Sequence, residues 1–404
     1  MIAALALVLV SAPQATHALR PATPAESIER LDGDLLAAIR WLVQAQNADG
    51  SWGSHHSPRP IEVLCNVPGS HEAFRVATSA LCVMALRDSV PNRGTGTRAK
   101  TGVDGRQAAP VETDGRQAAI GRGLDFLLDH FAVKRASGLE HYNVWSFGYA
   151  LQCFGEVLAD QPEDPRAPRL RSVCKALVEK LGQYQTLDGG WGYLSLGPVP
   201  TFQPSDTSMS FTTATIVVGL QRAQAAGVAL PEKMVARAVE EIERSRLPDG
   251  AFLYGDYLQY APRLGINEVK GSACRAPACQ YALDLFGRPV GDAAFAKALE
   301  DLLVKHAGFQ RLGLRRPIPH ESWYQISGYF YLYGHAYAAY VLEKLSAEQQ
   351  RRFWPLLVNA VAQCKEPDGS YWDYPLYSYH KPYGTAYAVL VLARAQRFLA
   401  TKRG

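Results

Sequence analysis

Gln46-Asn47-Ala48-Asp49-Gly50-Ser51-Trp52-Gly53 closes a stretch whose apolar residues fall at helical spacing, and near-copies of the phrase recur three times: Asp188-Gly189-Gly190-Trp191-Gly192, Asp249-Gly250-Ala251-Phe252 and Asp368-Gly369-Ser370-Tyr371-Trp372. The aspartates stand 139, 61 and 119 positions apart. The last two gaps are one and two units of about 60, and the first is two units plus an insertion of about 20. A unit of that length, two helices and a turn, describes a closed or stacked array of helical hairpins. The phrase has a mechanical reading. Gly accepts the left-handed conformation that ends a helix, Asp closes an Asx-turn, and the aromatic ring folds back over the helix end. It reads as a structural staple without chemical duty.

Six hairpins follow along the chain. The spacing predicts helices near 27–46 and 71–88, 119–134 and 141–159, 167–186 and 206–226, 231–246 and 270–286, 292–307 and 321–345, and 347–365 and 381–400. The first helix of each pair carries one apolar stripe and one charged face, as in Val235-Ala-Arg-Ala-Val-Glu-Glu-Ile-Glu-Arg244, which marks a surface helix. The second is apolar or small nearly all round, as in Ser210-Phe-Thr-Thr-Ala-Thr-Ile-Val-Val-Gly-Leu220, which marks a buried one. The expected fold is therefore all-α, an (α/α)6 toroid whose inner helices line a central cavity. It forms one domain over 27–400, with a Gly-, Thr- and Pro-rich surface insertion at 89–118 and a leader at 1–26.

The leader contains the apolar run Ile2–Val10 followed by the small-x-small triplet Thr16-His17-Ala18, although a charged n-region is missing. This pattern predicts an export signal and a secreted or periplasmic protein. Nine residues are too few to span a bilayer, and no later segment approaches 18 consecutive apolar residues, so no stable membrane span is expected. The net charge of +4 comes from interspersed Lys and Arg without a basic stripe, which excludes a nucleic-acid footprint. Of seven Cys, Cys82, Cys153, Cys174 and Cys364 fall inside expected helices as small buried hydrophobes. Cys274 and Cys279 are placed on one helix, on different faces.

The stretch Trp41-Leu42-x-x-x-Gln46-x-x-Asp49-Gly50-Ser51-Trp52-Gly53 resembles the Gln-Trp repeat of squalene–hopene cyclases and of protein prenyltransferase β-subunits, the prenyltransferase/squalene oxidase repeat of the terpenoid cyclase and protein prenyltransferase superfamily. The resemblance runs through the repeats from about Ser27 to Leu399. It implies the toroid, and it implies two motifs. Class II cyclases protonate an alkene with an Asp in an Asp-x-Asp-Asp-Thr-Ala or Asp-Cys-Thr-Ala pattern; the matching stretch here is Gln203-Pro204-Ser205-Asp206-Thr207-Ser208, with Ser205 where a second acid would stand. Asp206 is thus a candidate acid, although Asp-Thr-Ser at a helix start fits an N-cap of the sixth helix better. The prenyltransferase zinc site has Asp, Cys and a His in a Tyr-His-x-Cys-Tyr context. Tyr379-His380-Lys381-Pro382-Tyr383 resembles it with Pro382 in place of the Cys, and His320-Glu321-Ser322-Trp323 stands where the Asp-x-Cys partner would be. No metal and no cofactor are expected, since His-x3-His and Cys-x2-Cys spacings are lacking as well.

Aligned by their starts, the six inner helices each open on polar or ionisable residues: His71-Glu72, His141-Tyr142, Asp206, Glu268-Val-Lys270, His320-Glu321 and His380-Lys381. Parallel inner helices would gather these at one mouth of the cavity, where helix N-termini favour an anionic group and His supports acid–base chemistry. Polar residues also open helices for capping alone. The candidate site is accordingly Asp206 and His380 as catalytic groups, with His71, Glu72, Tyr142, Trp145, Lys270, Glu321, Tyr324 and Tyr383 binding substrate. Aromatic residues deeper along these helices suit an isoprenoid or carbocation, sugar rings, or plain core packing. Three functions remain in competition: a cyclase- or prenyltransferase-like enzyme for an isoprenoid or other, possibly anionic, lipid; a polysaccharide lyase or hydrolase of the envelope using two carboxyls; and a non-catalytic toroid that binds or scaffolds.

Overall fold

The computed structural model describes residues 22–54, 68–90, 113–133, 142–193, 207–306, 329–373 and 380–401. Its six outer helices are α1 (Pro24–Gln44), α3 (Thr113–His130), α5 (Ala167–Tyr184), α7 (Glu232–Arg244), α10 (Asp292–Glu300) and α12 (Ala347–Ala362). The inner set is α2 (Pro68–Asp88), α4 (Asn143–Asp160), α6 (Ser210–Ala225), the short α8 (Val269–Ser272) with α9 (Ala276–Leu285), α11 (Tyr331–Leu342) and α13 (His380–Ala400). Around the ring α2 packs on α4, α4 on α6, α6 on α9, α9 on α11, α11 on α13, and α13 back on α2. The chain therefore closes into the expected α/α toroid. Among the described residues, backbone pairing of strand type is confined to isolated bridges.

Composition explains which helix goes where. All twelve residues of α11 are buried, whereas α7 buries Met234, Ala238, Val239, Glu241 and Ile242 and turns the rest outward. The four turns are copies of one another. Asn47 N–H donates to Ser51 O (2.8 Å), Thr186 to Gly190 (2.9 Å), Leu247 to Ala251 (2.8 Å) and Glu366 to Ser370 (2.7 Å). The turn Asp accepts the backbone N–H two residues on: Asp49 from Ser51 at 3.0 Å, Asp249 from Ala251 at 3.0 Å, Asp368 from Ser370 at 3.0 Å. Gly50 sits at φ 87°, where a side chain is strained.

The aromatic after each turn is fully buried. Trp52 Nε1 donates to Leu42 O (2.7 Å) and Trp191 Nε1 to Leu181 O (2.8 Å), so each indole caps a carbonyl near the end of its own outer helix. The backbone N–H of the same residue is bound by a hydroxyl of the inner helix in all four copies: Trp52 by Ser79, Trp191 by Thr213, Phe252 by Ser272 and Tyr371 by Thr385, at 2.9 to 3.0 Å. One aromatic thus locks outer helix, turn and inner helix together.

Several boundaries depart from expectation. The fourth inner helix is broken at Ala273–Arg275, because Pro277 has no N–H to offer the carbonyl four residues back; Cys274 lies in this break and Cys279 on α9. The outer helix of the fifth hairpin turns π-helical over Asp301–Lys305. The insertion expected at 89–118 overlaps the start of α3, which begins at Thr113; Arg116 is buried there and donates to Ser89 O (2.9 Å). Helix α6 starts at Ser210 with Met209 at its N-cap, so Asp206 does not cap it. No helix among the described residues is long and apolar enough to cross a membrane.

Candidate functional site

Aromatic side chains from the inner helices, and from the segments after two turns, pack into one connected cluster inside the ring of helices. Trp145 on the first turn of α4 lies among Tyr149 (5.9 Å between ring centres), Tyr193 (6.3 Å), Phe211 (5.9 Å) and Tyr333 (6.4 Å, edge-on). Phe330 contacts Phe211 at 4.6 Å and Tyr333 at 6.1 Å. Tyr383 on α13 meets Tyr387 at 5.8 Å. Trp145, Phe74, Tyr193, Tyr329, Phe330 and Tyr383 remain half-buried, packed against the fully buried rings.

Tyr142 fixes one side of the cluster. It holds φ 71°, the one positive value at a non-glycine among the described residues, a conformation that costs on the order of 1–2 kcal/mol. The strained backbone places its ring against Phe74 (4.5 Å) and Tyr193 (5.3 Å). Strain of this sort persists where the surroundings dictate the geometry.

Several of these rings are joined through their hydroxyl groups. Tyr149 and Tyr387 share a hydrogen bond at 2.5 Å, and Tyr333 OH reaches Thr215 Oγ1 (3.0 Å) and Phe211 O (3.1 Å). Tyr193 and Tyr254 bond through their hydroxyls on the flank. Burial pushes the pKa of Tyr149, Tyr193, Tyr333, Tyr383 and Tyr387 well above the usual phenol range, and that of Tyr254 up to about 12 against the opposing pull of the Tyr193 hydrogen bond and of Arg275. All six stay protonated donors at neutral pH. Behind Tyr254 lies Arg275, buried, its charge 5.6 Å from the ring and held by the carbonyls of Gly271 (2.6 Å), Phe252 (2.8 Å) and Ile266 (2.8 Å). Burial lowers its pKa to about 10, which leaves it a cation.

Of the residues singled out from sequence, Tyr142, Trp145 and Tyr383 come together in this aromatic cluster. His71 is buried in the first part of α2. Glu72 turns to the outer helix instead, pairing with His130 of α3 (3.1 Å) and with Arg75 (3.1 Å). Lys270 pairs with Glu268 at 3.0 Å. Asp206, Glu321 and Tyr324 lie outside the described residues, as does the side chain of His380, which opens α13. Among the described residues no cluster of His, Cys, Asp or Glu has the arrangement of a metal site.

Sequence reasoning missed Tyr193, Tyr254 and Asp373. Each stands two residues after the stapled aromatic, Trp191, Phe252 or Tyr371, where extended backbone brings alternate side chains to one side. That fixed offset was the available signal. Asp373 is fully buried, accepts Leu332 N–H at 2.9 Å at the start of α11, and takes the Tyr383 hydroxyl at 3.4 Å. A carboxylate at a helix N-terminus is favoured by the helix dipole.

No family model and no curated protein sequence matches the chain. Solved structures do match in fold. The type II terpene cyclase MstE from Scytonema, in complex with its substrate geranylgeranyl dihydroxybenzoate, superposes with TM-score 0.52 over 92% of this chain and 99% of its own, at 13% identity. A possible member of the GH105 family from Klebsiella pneumoniae superposes with TM-score 0.52 over 91% and 93%, at 14% identity. A protein from Actinoplanes gives 0.50 over 91% and 99%, at 14%. These likenesses establish the α/α-toroid and leave the chemistry to the site.

Proposed function

We propose that the chain is a terpenoid-cyclase-like toroid whose central chamber binds an isoprenoid or similar apolar lipid chain. The observation that carries this reading is the cluster of half-buried aromatics Phe74, Trp145, Tyr193, Phe330 and Tyr383 beside paired tyrosine hydroxyls. Aromatic faces exclude water from a hydrocarbon chain and stabilise positive charge developing on it. The hydroxyls offer neutral donors to a polar head without the desolvation cost of a buried ion. In this reading Asp206 supplies the proton and His380 assists at the opposite helix start. The segment after Asp206 is anchored, since Asp188 accepts from Ser208 N–H (2.8 Å) and Thr207 Oγ1 (3.2 Å), and Glu241 from Ser208 Oγ (2.9 Å). The apolar run at Ile2–Val10 is the basis for placing this activity outside the cytoplasm.

A polysaccharide-active envelope enzyme is the second reading, supported by the same hydroxyl pairs, which would bond sugar hydroxyls with rings stacked on Trp145. Fluorescence titration of the intact protein with geranylgeraniol and with an acidic oligosaccharide separates the two. Saturable quenching by the lipid, lost in Trp145→Ala and Tyr383→Ala variants that still fold, supports the first. Binding of the oligosaccharide alone overturns it.

A further inference from the structure

The turn after α7 departs from its counterparts in how it meets the next outer helix. Elsewhere the residue three before the turn Asp reaches across: Gln46 to Ala119 O (2.9 Å), Gln185 to Met234 O (2.8 Å), and Lys365 to Asp34 Oδ1 (2.5 Å). Here that place holds Arg246, which is exposed and makes no such bridge to α10 among the described residues. Two of the turn glycines register the same difference, while Gly369, where a Cβ would stand 3.3 Å from Ala37 O, lies between. A Cβ on Gly50 would stand 2.4 Å from Arg122 O, and one on Gly189 2.7 Å from Arg237 O, but the nearest atom to a Cβ on Gly250 is Lys297 Nζ at 3.5 Å. The outer helix stands away from this turn, and at Asp301 it winds into the π-helical turn, a local form that gathers at functional sites.

Between turn, α9 and α10 lies a cavity of about 110 Å³, with Arg246 and Lys297 among its lining and Ser272, Gln280 and Asp301 contributing polar groups. Gln280 is buried. Its Nε2 donates to Ala294 O (3.3 Å), while its Oε1 has no partner among the described residues. A buried acceptor left without a donor costs as much as a lost hydrogen bond, so whatever fills the cavity donates to it. Asp301 is held between Lys297 (2.5 Å) and Lys305 (2.8 Å), which leaves the Arg246 guanidinium as the cation open to a ligand.

We propose that this inter-hairpin pocket binds a small organic acid that also carries a hydrogen-bond donor, an amino or hydroxy acid of about two to four carbons. The volume equals roughly three or four water molecules at ~30 Å³ each, which suits a molecule of that size. Its ammonium or hydroxyl group donates to Gln280 Oε1, and its carboxylate pairs with Arg246, assisted by Lys297. The site is separate from the central chamber and does not depend on what that chamber holds.

Saturation-transfer NMR on the intact protein with glycine, serine, glycolate and lactate tests it, with acetate and propionate as carboxylates that lack the donor. At least one donor-bearing acid should bind, at least tenfold more tightly than acetate, and Arg246→Ala and Gln280→Leu should each weaken it tenfold or more. Arg246 lies on the surface, so its variant decides the matter even if Gln280→Leu fails to fold. Equal binding of acetate, binding indifferent to Arg246→Ala, or a crystal structure holding only water in the cavity at high concentrations of these acids would overturn the assignment.

Discussion

The hydroxyl of Tyr149 on α4 lies 2.5 Å from that of Tyr387 on α13, a bond that skips α2, the helix between them in the ring. Thr215 on α6 and Tyr333 on α11 make a second such bond at 3.0 Å, skipping α9. Ring closure accounts for neighbouring helices touching. These two bonds instead join inner helices that are not neighbours in the ring, and so tie the inside of the toroid together.

Tyr149→Phe should therefore leave the Tyr387 hydroxyl buried and short of a partner, lowering stability by about 1–3 kcal/mol. The double change Tyr149→Phe/Tyr387→Phe should recover part of that loss, because no orphan group remains. Urea denaturation of the two single variants and the double variant measures the coupling. Additive losses would mean that the two hydroxyls do not depend on one another.

Trp52→Ala or Trp191→Ala should cost about 3–5 kcal/mol, since each removes a fully buried ring. Ligand binding in the chamber should survive at temperatures where the variants stay folded. Unchanged melting with lost binding would show that these residues act at the site rather than as staples.

The turn glycines should differ among themselves. Gly50→Ala combines a left-handed backbone with a 2.4 Å approach to the Arg122 carbonyl, while Gly250→Ala has the same backbone but meets only the flexible end of Lys297. The second should cost about 1–2 kcal/mol from conformation alone, and the first clearly more. Equal melting temperatures for the two variants would contradict the close approach of α3 to the first turn.

Glu241 carries a pH dependence. It is fully buried, bonded to Ser208 (2.9 Å) and Ser245 (3.3 Å), faces the charge of Asp188 across Ser208, and has no cationic partner among the described residues. Burial pushes its carboxyl up to about 7 from 4.5. The folded protein thus holds this proton where the unfolded chain has released it, so the contribution is whole below pH 4.5 and is lost as pH rises through about 7. The loss approaches about 3 kcal/mol at 1.36 kcal/mol per unit. Stability of Glu241→Gln, measured by denaturation from pH 4.5 to 8, should fall less with rising pH than that of the natural protein. Parallel curves would refute the buried carboxyl.

The toroid was legible because its signals are local and repeated: a turn that requires Gly50 and its counterparts, and an aromatic that must cover a helix end. The candidate site was legible only in part. Trp145 and Tyr142 stand at a helix start that periodicity locates. Tyr193, Tyr254 and Asp373 stand in short extended segments with no period of their own, placed by the staple two residues earlier. Glu72 shows the opposite limit. Its position in the sequence is that of a helix-start residue, but His130 of α3 draws its carboxylate toward the outer ring, a pairing between distant residues that spacing along one helix does not encode. The pair with Arg75 three residues on is the part that spacing does encode. Arg275 was invisible for the same reason, since two of its three carbonyl partners, Phe252 and Ile266, come from the turn and the segment before α8.

Photo-crosslinking with a diazirine-bearing geranylgeranyl analogue, followed by peptide mapping, tests the lipid-binding chamber most directly. The label should fall on the peptides carrying Phe74, Trp145, Tyr193, Phe330 and Tyr383, and unlabelled geranylgeraniol should compete it away. Label confined to the outer helices, or label on these peptides that geranylgeraniol does not displace, would contradict the account.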